Sequence, residues 1–210
     1  MKIIELGRPE GKTGKFTVLF EDGSIINVST SQIADFGIYS GRELTQDEYE
    51  DLRETLALSS AKARALRILG TRSLSAREME KRLTSKGESE QVAQETVRWL
   101  KEVGEVDDVE YAAAIARHYS ARGYGAARIK DELFRRGIPR DLWDDALCGI
   151  DNEGEAAYDF LGKKLKGSRD KADLRRATDA LCRRGFSYEE ARAIVNRYLE
   201  NVEEDEDFEP

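Results

Sequence analysis

The feature that most constrains this sequence is a repeat with a period close to 50 residues. Leu83-Thr84-Ser85-Lys86-Gly87 recurs as Leu133-Phe134-Arg135-Arg136-Gly137 and again as Leu181-Cys182-Arg183-Arg184-Gly185. Apolar residues also recur 10 and 13 positions after each glycine, as Val97 and Leu100 do after Gly87. A period of this size with one internal order is typical of a tandem array of small structural units.

Each copy is predicted to contain two helices, a glycine that ends the second, and a third helix. In copy two the pattern places a helix after Asp108 as its N-cap and a second helix over residues 126–136, before Gly137. Glycine tolerates the left-handed conformation that commonly ends a helix. Ser75-x-x-Glu78 and Ser187-x-x-Glu190 are capping boxes that should open helices in copies one and three.

The N-terminal residues are predicted to form strands instead. Residues 15–20 alternate in polarity, residues 24–28 return, and Asp22-Gly23 between them has the composition of a hairpin turn. Residues 2–6 could add a third strand. A sheet this small should pack on a helix, and the capping box Thr45-x-x-Glu48 opens one.

The expected fold class is therefore mainly α: an elongated tandem array of three three-helix repeats, preceded by a small N-terminal β-hairpin or sheet and a helix. Units of about 47 residues bury too little apolar surface for comfortable independent stability, so neighbouring units should lean on each other. The predicted boundaries are 1–56 for the β-hairpin and helix, 57–103, 104–150 and 151–200 for the three repeats, and 201–210 for an acidic disordered tail.

The charge is unevenly distributed along the chain. The formal net charge is −8, but residues 57–200 together carry +3 between two acidic ends. This balance does not require a nucleic-acid partner, since a dedicated nucleic-acid-binding domain is usually strongly basic. It does permit one positive face if the acidic side chains lie on the other.

No residue pattern indicates catalysis, a metal or a cofactor. His118 is the one histidine, and a lone helical histidine is more often a packing or surface residue than a base. Zinc coordination at the usual cysteine and histidine count is excluded. Gly11-Lys12-Thr13 resembles the end of a phosphate-binding loop, but the upstream glycine, Gly7, is misplaced. The sequence therefore predicts a binding protein and not an enzyme.

The same composition favours a cytoplasmic protein, and we expect it to be a monomer. No apolar run is long enough to span a membrane, and no signal-peptide core follows Met1. Cys148 and Cys182 lie in apolar helical patterns, so we expect reduced core residues and no disulfide.

Basic residues at helical spacing are the remaining candidates for function. Each one alone is most simply a solvated side chain, but together they would form a periodic positive stripe. Such a stripe suits a periodic acidic partner, either a nucleic-acid backbone or a protein filament on one. The candidate binding residues are Arg64, Arg67, Arg72, Arg77, Lys81, Arg82 and Lys86 in copy one, Arg122, Tyr124, Arg128, Arg135 and Arg136 in copy two, and Lys163, Lys164, Arg183 and Arg184 in copy three.

From about Ala57 to Leu199 the chain resembles the RecX family, bacterial regulators of the RecA recombinase. The most specific block is in copy two and comprises Gly104, Val106-Asp107-Asp108, Tyr111-Ala112, Arg122-Gly123-Tyr124-Gly125, Arg128-Ile129, Leu133 and Arg136-Gly137-Ile138. One departure is Glu88, which stands where the other copies have Ile138 and Phe186. It leaves open whether copy one ends its second helix in the same way.

The resemblance implies binding along the groove of the RecA–single-stranded DNA filament. It further implies suppression of filament growth, ATP hydrolysis, strand exchange and the co-protease activity that drives the SOS response. Two other classes stay open: a sequence-specific DNA-binding regulator of the helix-turn-helix type, and a pure protein–protein scaffold.

On this reasoning, reversing the charges of Arg128, Arg135 and Arg136 together should abolish inhibition of RecA while leaving the fold intact. Single-stranded-DNA-dependent ATP hydrolysis by RecA is the measurement. Full inhibition by the folded triple variant would contradict the assignment of these residues.

Overall fold

The computed structural model describes residues 1–8, 14–150 and 154–206, and over these residues the chain is mainly helical. Gly11-Lys12-Thr13 lies outside the described residues. The strands are β1 (Ile3–Leu6), β2 (Phe16–Phe20) and β3 (Ile25–Val28). The helices are α1 (Thr30–Asp35), α2 (Gln46–Leu69), α3 (Ala76–Ser85), α4 (Glu90–Glu102), α5 (Asp108–Ser120), α6 (Ala126–Arg135), α7 (Trp143–Cys148), α8 (Glu155–Leu165), α9 (Lys171–Arg183) and α10 (Tyr188–Glu206), with a short 3₁₀ helix, Arg140–Leu142, before α7.

The chain divides into two compact units. Residues 1–68 and 83–96 form the first, and residues 69–82 with residues 97 onward form the second. In the described part of the chain, no helix has both the length and the apolar composition needed to cross a bilayer.

The first unit contains the predicted hairpin, and β1 adds a third strand to it, giving an antiparallel sheet of order β1-β2-β3. β2 and β3 form a hairpin in which Leu19 pairs with Ile25, and Gly23 in the turn has a φ of +83°. Val18 and Phe20 project from β2 into a core that includes Leu52 of α2. The sheet is therefore stabilised by packing on a helix, as its small size requires.

Helix α2 begins at the predicted capping box. The Glu48 amide donates to Thr45 Oγ1 at 3.2 Å, and the Thr45 amide donates to Glu48 Oε2 at 2.8 Å. The helix then continues without a break through the predicted boundary at residue 56 and ends at Leu69. Helix α1 was not predicted from the sequence, although Ser29 and Gln32 form a capping box at its start.

Two predicted capping boxes of the repeats are present, and one predicted cap is displaced by a residue. Ser75 pairs with Glu78 and Ser187 with Glu190 through reciprocal hydrogen bonds of 2.6–3.2 Å. At the start of α5 the N-cap is Asp107, whose side chain accepts from the amides of Val109 and Glu110. The prediction of Asp108 at this position was wrong, because Asp108 is the first helical residue and is buried.

The second helix of every copy ends in the same way. Gly87, Gly137 and Gly185 have φ values of +93°, +69° and +98°. The amide after each glycine donates to the carbonyl of the copy's leucine, five residues back, at 3.0–3.2 Å. This pattern of hydrogen bonds closes helices that end on a left-handed glycine.

Glu88 therefore leaves the backbone of copy one unchanged and alters only what its side chain contacts. Ile138 and Phe186 at the equivalent positions are buried. Glu88 is instead paired with Arg64 Nε at 3.2 Å, inside the first unit.

The repeats interlock through these helix ends. The Gly125 amide donates to the Arg184 carbonyl at 3.0 Å, and the Ala127 amide donates to the Gly185 carbonyl at 3.1 Å. At the equivalent position of copy one, Ser75 Oγ donates to the carbonyl of Arg136. The end of one copy's second helix thus packs against the start of the preceding copy's second helix.

Copies two and three each have an apolar core built from all their helices. The buried residues are Ala112, Ile115, Ala116, Ile129, Leu133, Ile138 and Ala146 in copy two and Ala157, Leu161, Leu165, Ala177, Leu181, Phe186, Ala191, Val195 and Tyr198 in copy three. Both cysteines are free thiols. Cys182 packs against the copy-three core, but Cys148 is exposed, so its prediction as a core residue was wrong.

Helix α10 continues to Glu206, into the segment for which the sequence analysis predicted disorder from residue 201. Residues 201–206 are helical, and residues 207–210 lie outside the described part of the chain.

Gly125→Ala should destabilise the protein by about 1–3 kcal/mol, the usual range for an overpacked interior. An added Cβ would lie 2.5 Å from the Gly185 carbonyl carbon. Gly125 has a φ of −83°, so the effect would come from the collision alone. Gly162→Ala is the matched control, since a Cβ there meets no atom within 4 Å. In urea unfolding, the free energy of unfolding of Gly162→Ala should equal or exceed that of the parent protein. Equal free energies of unfolding for the two variants would contradict the interlock.

Candidate functional site

The structure distributes the predicted binding residues over both compact units. Arg64, Arg67 and Lys86 belong to the first unit and all the others to the second. The exposed members are Arg67, Arg72, Arg77, Lys81, Arg82, Lys86, Arg122, Arg135, Lys163, Lys164 and Arg183, and the partly buried ones are Arg64, Tyr124, Arg128, Arg136 and Arg184.

Four of these residues lie together where copy three packs on copy two: Arg122, Tyr124, Arg128 and Arg184. Arg184 Nη1 donates to the carbonyl of Arg122 at 2.8 Å and to that of Gly123 at 3.2 Å. Its guanidinium carbon lies 3.9 Å from the centre of the Phe160 ring and 4.9 Å from that of Tyr124. Arg184 is therefore held by carbonyls and aromatic rings, and its main role is to fix the junction.

Arg128 lies at the same junction, and its guanidinium can still bind a partner. A Cβ on Gly185 would come within 2.4 Å of the Arg128 nitrogen, so the Arg128 backbone is clamped against the end of α9. Within the described ranges, the Arg128 guanidinium has no ion pair or hydrogen bond. The fold thus fixes the position of Arg128 and leaves its cation for a partner.

Arg135 and Arg136 are engaged around a buried carboxylate. Glu132 is 7% exposed and accepts from Arg136 Nε at 2.8 Å and from Arg135 Nη2 at 2.5 Å. Arg136 also donates to the Tyr111 hydroxyl and lies 5.6 Å from the centre of that ring. Reversing the charge of Arg136 would place two carboxylates together at this point, so the predicted triple charge reversal would damage the fold.

The pKa values of this cluster follow from the same contacts. Burial on its own would raise the pKa of Glu132, but the hydrogen bond and charge of Arg136, together with the charge of Arg135, lower it overall. Burial would lower the pKa of Arg136, but its hydrogen bonds to Glu132 and Tyr111 raise it further above its ordinary value. Both groups are therefore ionised at neutral pH.

Several exposed candidates remain separate from these clusters. Lys163 and Lys164 lie in the last turn of α8, and Arg183 in the last turn of α9. Within the residues that the structure describes, these three cations and Arg72 form no ion pair or side-chain hydrogen bond. They are available to an external anion.

A groove in the second unit adds residues that the sequence analysis missed. It has a volume of about 490 Å³ and lies between the start of α3 and the end of α6. Phe134, Arg140 and Trp143 line it together with the predicted Arg77. One feature of the sequence could have indicated this groove. Phe134 is an aromatic residue at a repeat position that Thr84 and Cys182 occupy in the other copies.

Among the residues that the structure describes, no catalytic constellation surrounds His118. It is exposed, and its Nε2 lies 3.4 Å from Arg122 Nη1. Among the described residues, no group of three histidine, cysteine or acidic side chains could hold a metal ion.

These features define a class: a modular binding protein of three-helix repeats with clustered basic residues. Residues 61–100 match the family model described as the first three-helix domain of RecX, and residues 107–147 match that of the second three-helix domain. The chain belongs to the RecX family of non-enzymatic regulatory proteins.

Similar proteins cover most of the chain. The regulatory protein RecX of Xanthomonas axonopodis pv. citri (strain 306) is 33% identical over 141 residues, which are 66% of this chain and 87% of the relative. That of Caldanaerobacter subterraneus subsp. tengcongensis is 26% identical over 188 residues, which are 88% of this chain and 94% of the relative.

Solved structures share the fold. A crystal structure of regulatory protein RecX superposes with a TM-score of 0.74 at 20% identity, covering 93% of this chain and 98% of that one. RecX from Lactobacillus salivarius gives a TM-score of 0.63 at 22% identity, covering 68% and 96%.

Glu132→Gln should reduce the free energy of unfolding at pH 7 by about 1.5–3 kcal/mol, since hydrogen bonds to charged groups contribute about this much. Because the pKa of Glu132 is lowered in the folded state, its contribution is complete above the unfolded pKa of about 4.3. The contribution is lost as the pH falls through the lower folded pKa. Urea unfolding at several pH values should therefore show the two proteins converging below about pH 4.

Glu110→Gln is the control for this measurement. Its ion pair with Arg117 is equally short, at 2.8 Å, but Glu110 is 70% exposed. Exposed pairs contribute about 1 kcal/mol or less. A stability difference for Glu132→Gln that stays constant from pH 3 to pH 7 would contradict the proposed ionisation.

Proposed function

We propose that this protein regulates the RecA recombinase by binding along the groove of the RecA–single-stranded DNA filament. Bound there, it limits filament extension, ATP hydrolysis, strand exchange and co-protease activity, and so restrains homologous recombination and the SOS response. It acts as a cytoplasmic monomer without a cofactor. Membership of the RecX family supports RecA as the partner.

The observation that carries this proposal is the junction between copies two and three. Two backbone hydrogen bonds of 3.0 and 3.1 Å join the neighbouring modules. Each module also contributes an exposed or partly exposed cation close to these bonds. Arg128 is contributed by copy two and Arg183 by copy three. A rigid junction would hold these charges at a fixed spacing for a periodic anionic partner and so lower the ordering cost of binding.

Several modest contacts of this kind can sum to a useful affinity. Once one module is bound, the next is held near its own site at a high effective concentration. A chain that contacts successive filament subunits would hinder the subunit rearrangements that ATP turnover and strand exchange need. If about four phosphates are neutralised, the logarithm of the affinity for single-stranded DNA should fall against the logarithm of salt with a slope of roughly −3.

The double variant Arg128→Glu/Arg183→Glu should weaken inhibition of the RecA ATPase by at least about tenfold. Neither guanidinium has an ion pair in the described part of the chain, so the fold should persist. Losing two phosphate contacts should also make the salt slope less steep by roughly 1.4. The measurement is RecA ATP hydrolysis on single-stranded DNA, with circular dichroism to verify folding.

The control is Arg98→Glu/Arg192→Glu, which changes the net charge equally at exposed positions outside the candidate set. An equal loss of RecA inhibition in both double variants would show that only the net charge matters. Full inhibition by the folded Arg128→Glu/Arg183→Glu protein would remove the junction from the binding surface. Selective binding to one duplex sequence would favour the helix-turn-helix alternative.

A further inference from the structure

The groove in the second unit is lined by an exposed ring, Phe134, and a half-buried ring, Trp143, beside Arg77 and Arg140, and its acidic residues are Glu80 and Asp108. Phe134 is 61% exposed although it lies on a helix whose other face is fully buried. Trp143 donates its indole N–H to the Ile138 carbonyl at 3.1 Å, which fixes the plane of its ring. Arg140 lies 5.8 Å from the centre of that ring.

The groove is also held rigid by its walls. Asp108 accepts from the Ala76 amide at 2.9 Å and from Lys101 Nζ at 3.2 Å, so its charge is already compensated. The stem of Arg77 packs against Gly137, where a Cβ would lie 2.5 Å from Arg77 Cδ. The guanidinium of Arg77 is thereby anchored at the groove, and its charge is exposed.

This combination matches one kind of ligand. Exposed aromatic faces beside cations, in an open groove, are what proteins use to bind single-stranded nucleic acid, because bases stack on rings while phosphates meet arginines. An apolar peptide would leave the two arginine charges without a partner. An acidic peptide would satisfy the arginines but would leave the flat face of Phe134 uncovered.

We infer that this groove binds a nucleotide of single-stranded nucleic acid, with the base stacked on Phe134 and the adjoining phosphates paired with Arg77 and Arg140. This inference rests on the proposed function, because it names the place where the protein would contact the single strand. The binding that it predicts involves this protein and the nucleic acid alone, so its test does not need RecA.

The two tryptophans make a local test possible. Trp99→Phe leaves Trp143 as the sole tryptophan, so its fluorescence reports on this groove. Titration with a 20-residue oligothymidylate should quench the emission. An abasic strand of the same length and charge should bind at least about tenfold more weakly, since stacking contributes about 1–3 kcal/mol per base and each 1.4 kcal/mol is tenfold in affinity.

Phe134→Ala in the same background should weaken oligothymidylate binding by about tenfold and leave abasic-strand binding unchanged. Tyr188→Ala removes an equally exposed ring, 65% exposed, outside the groove and should have no effect. Because Phe134 is exposed, its variant should fold, which circular dichroism would verify.

Equal binding of the two strands, or equal loss in both variants, would overturn the inference. A Phe134→Ala protein that binds DNA normally but no longer inhibits RecA would also overturn it, by making the groove a protein contact. Base-dependent quenching by a protein that fails to inhibit RecA would uphold this inference and refute the proposed function.

Discussion

The docking of one repeat's helix end onto the preceding repeat's helix start is the interaction on which the second unit depends. Backbone amides of Gly125 and Ala127 bond to the carbonyls of Arg184 and Gly185. These are groups that a helix start and a helix end leave unsatisfied. The interlock satisfies two of these donors and two of these acceptors at once, so two small modules that bury little surface each gain stability from their contact.

The close approach explains the glycines on both sides of the junction. Gly123 and Gly125 precede α6, and a Cβ on either would lie within 2.9 Å of backbone atoms of copy three. Gly185 has in addition a φ of +98°, which ends its own helix. One glycine thus serves two purposes, a helix stop and a flat surface for the neighbouring backbone.

The basic residues divide into those that hold the fold and those left for a partner. Arg184 and Arg136 are bound by carbonyls, aromatic rings and the buried carboxylate of Glu132. Arg128 and Arg183 lie close to them in the chain with no such partners in the described residues. A basic patch of this kind combines a rigid frame with a few available charges, which limits the ordering cost of binding.

The sequence by itself determined the repeat, the glycine stops, three capping boxes and the N-terminal hairpin, because each follows from local hydrogen bonding or hydrophobic periodicity. It also carried the family resemblance. It could not separate Arg136 from Arg128, since both read as basic positions on one helix. Only the tertiary structure buried Glu132, placed Tyr111 beside the Arg136 guanidinium and left that of Arg128 open, and only it made a groove from Phe134, Trp143 and Arg77. The Arg136–Tyr111 contact joins residues 25 positions apart. The groove brings Arg77 together with residues of the next repeat, so no local pattern encodes either outcome.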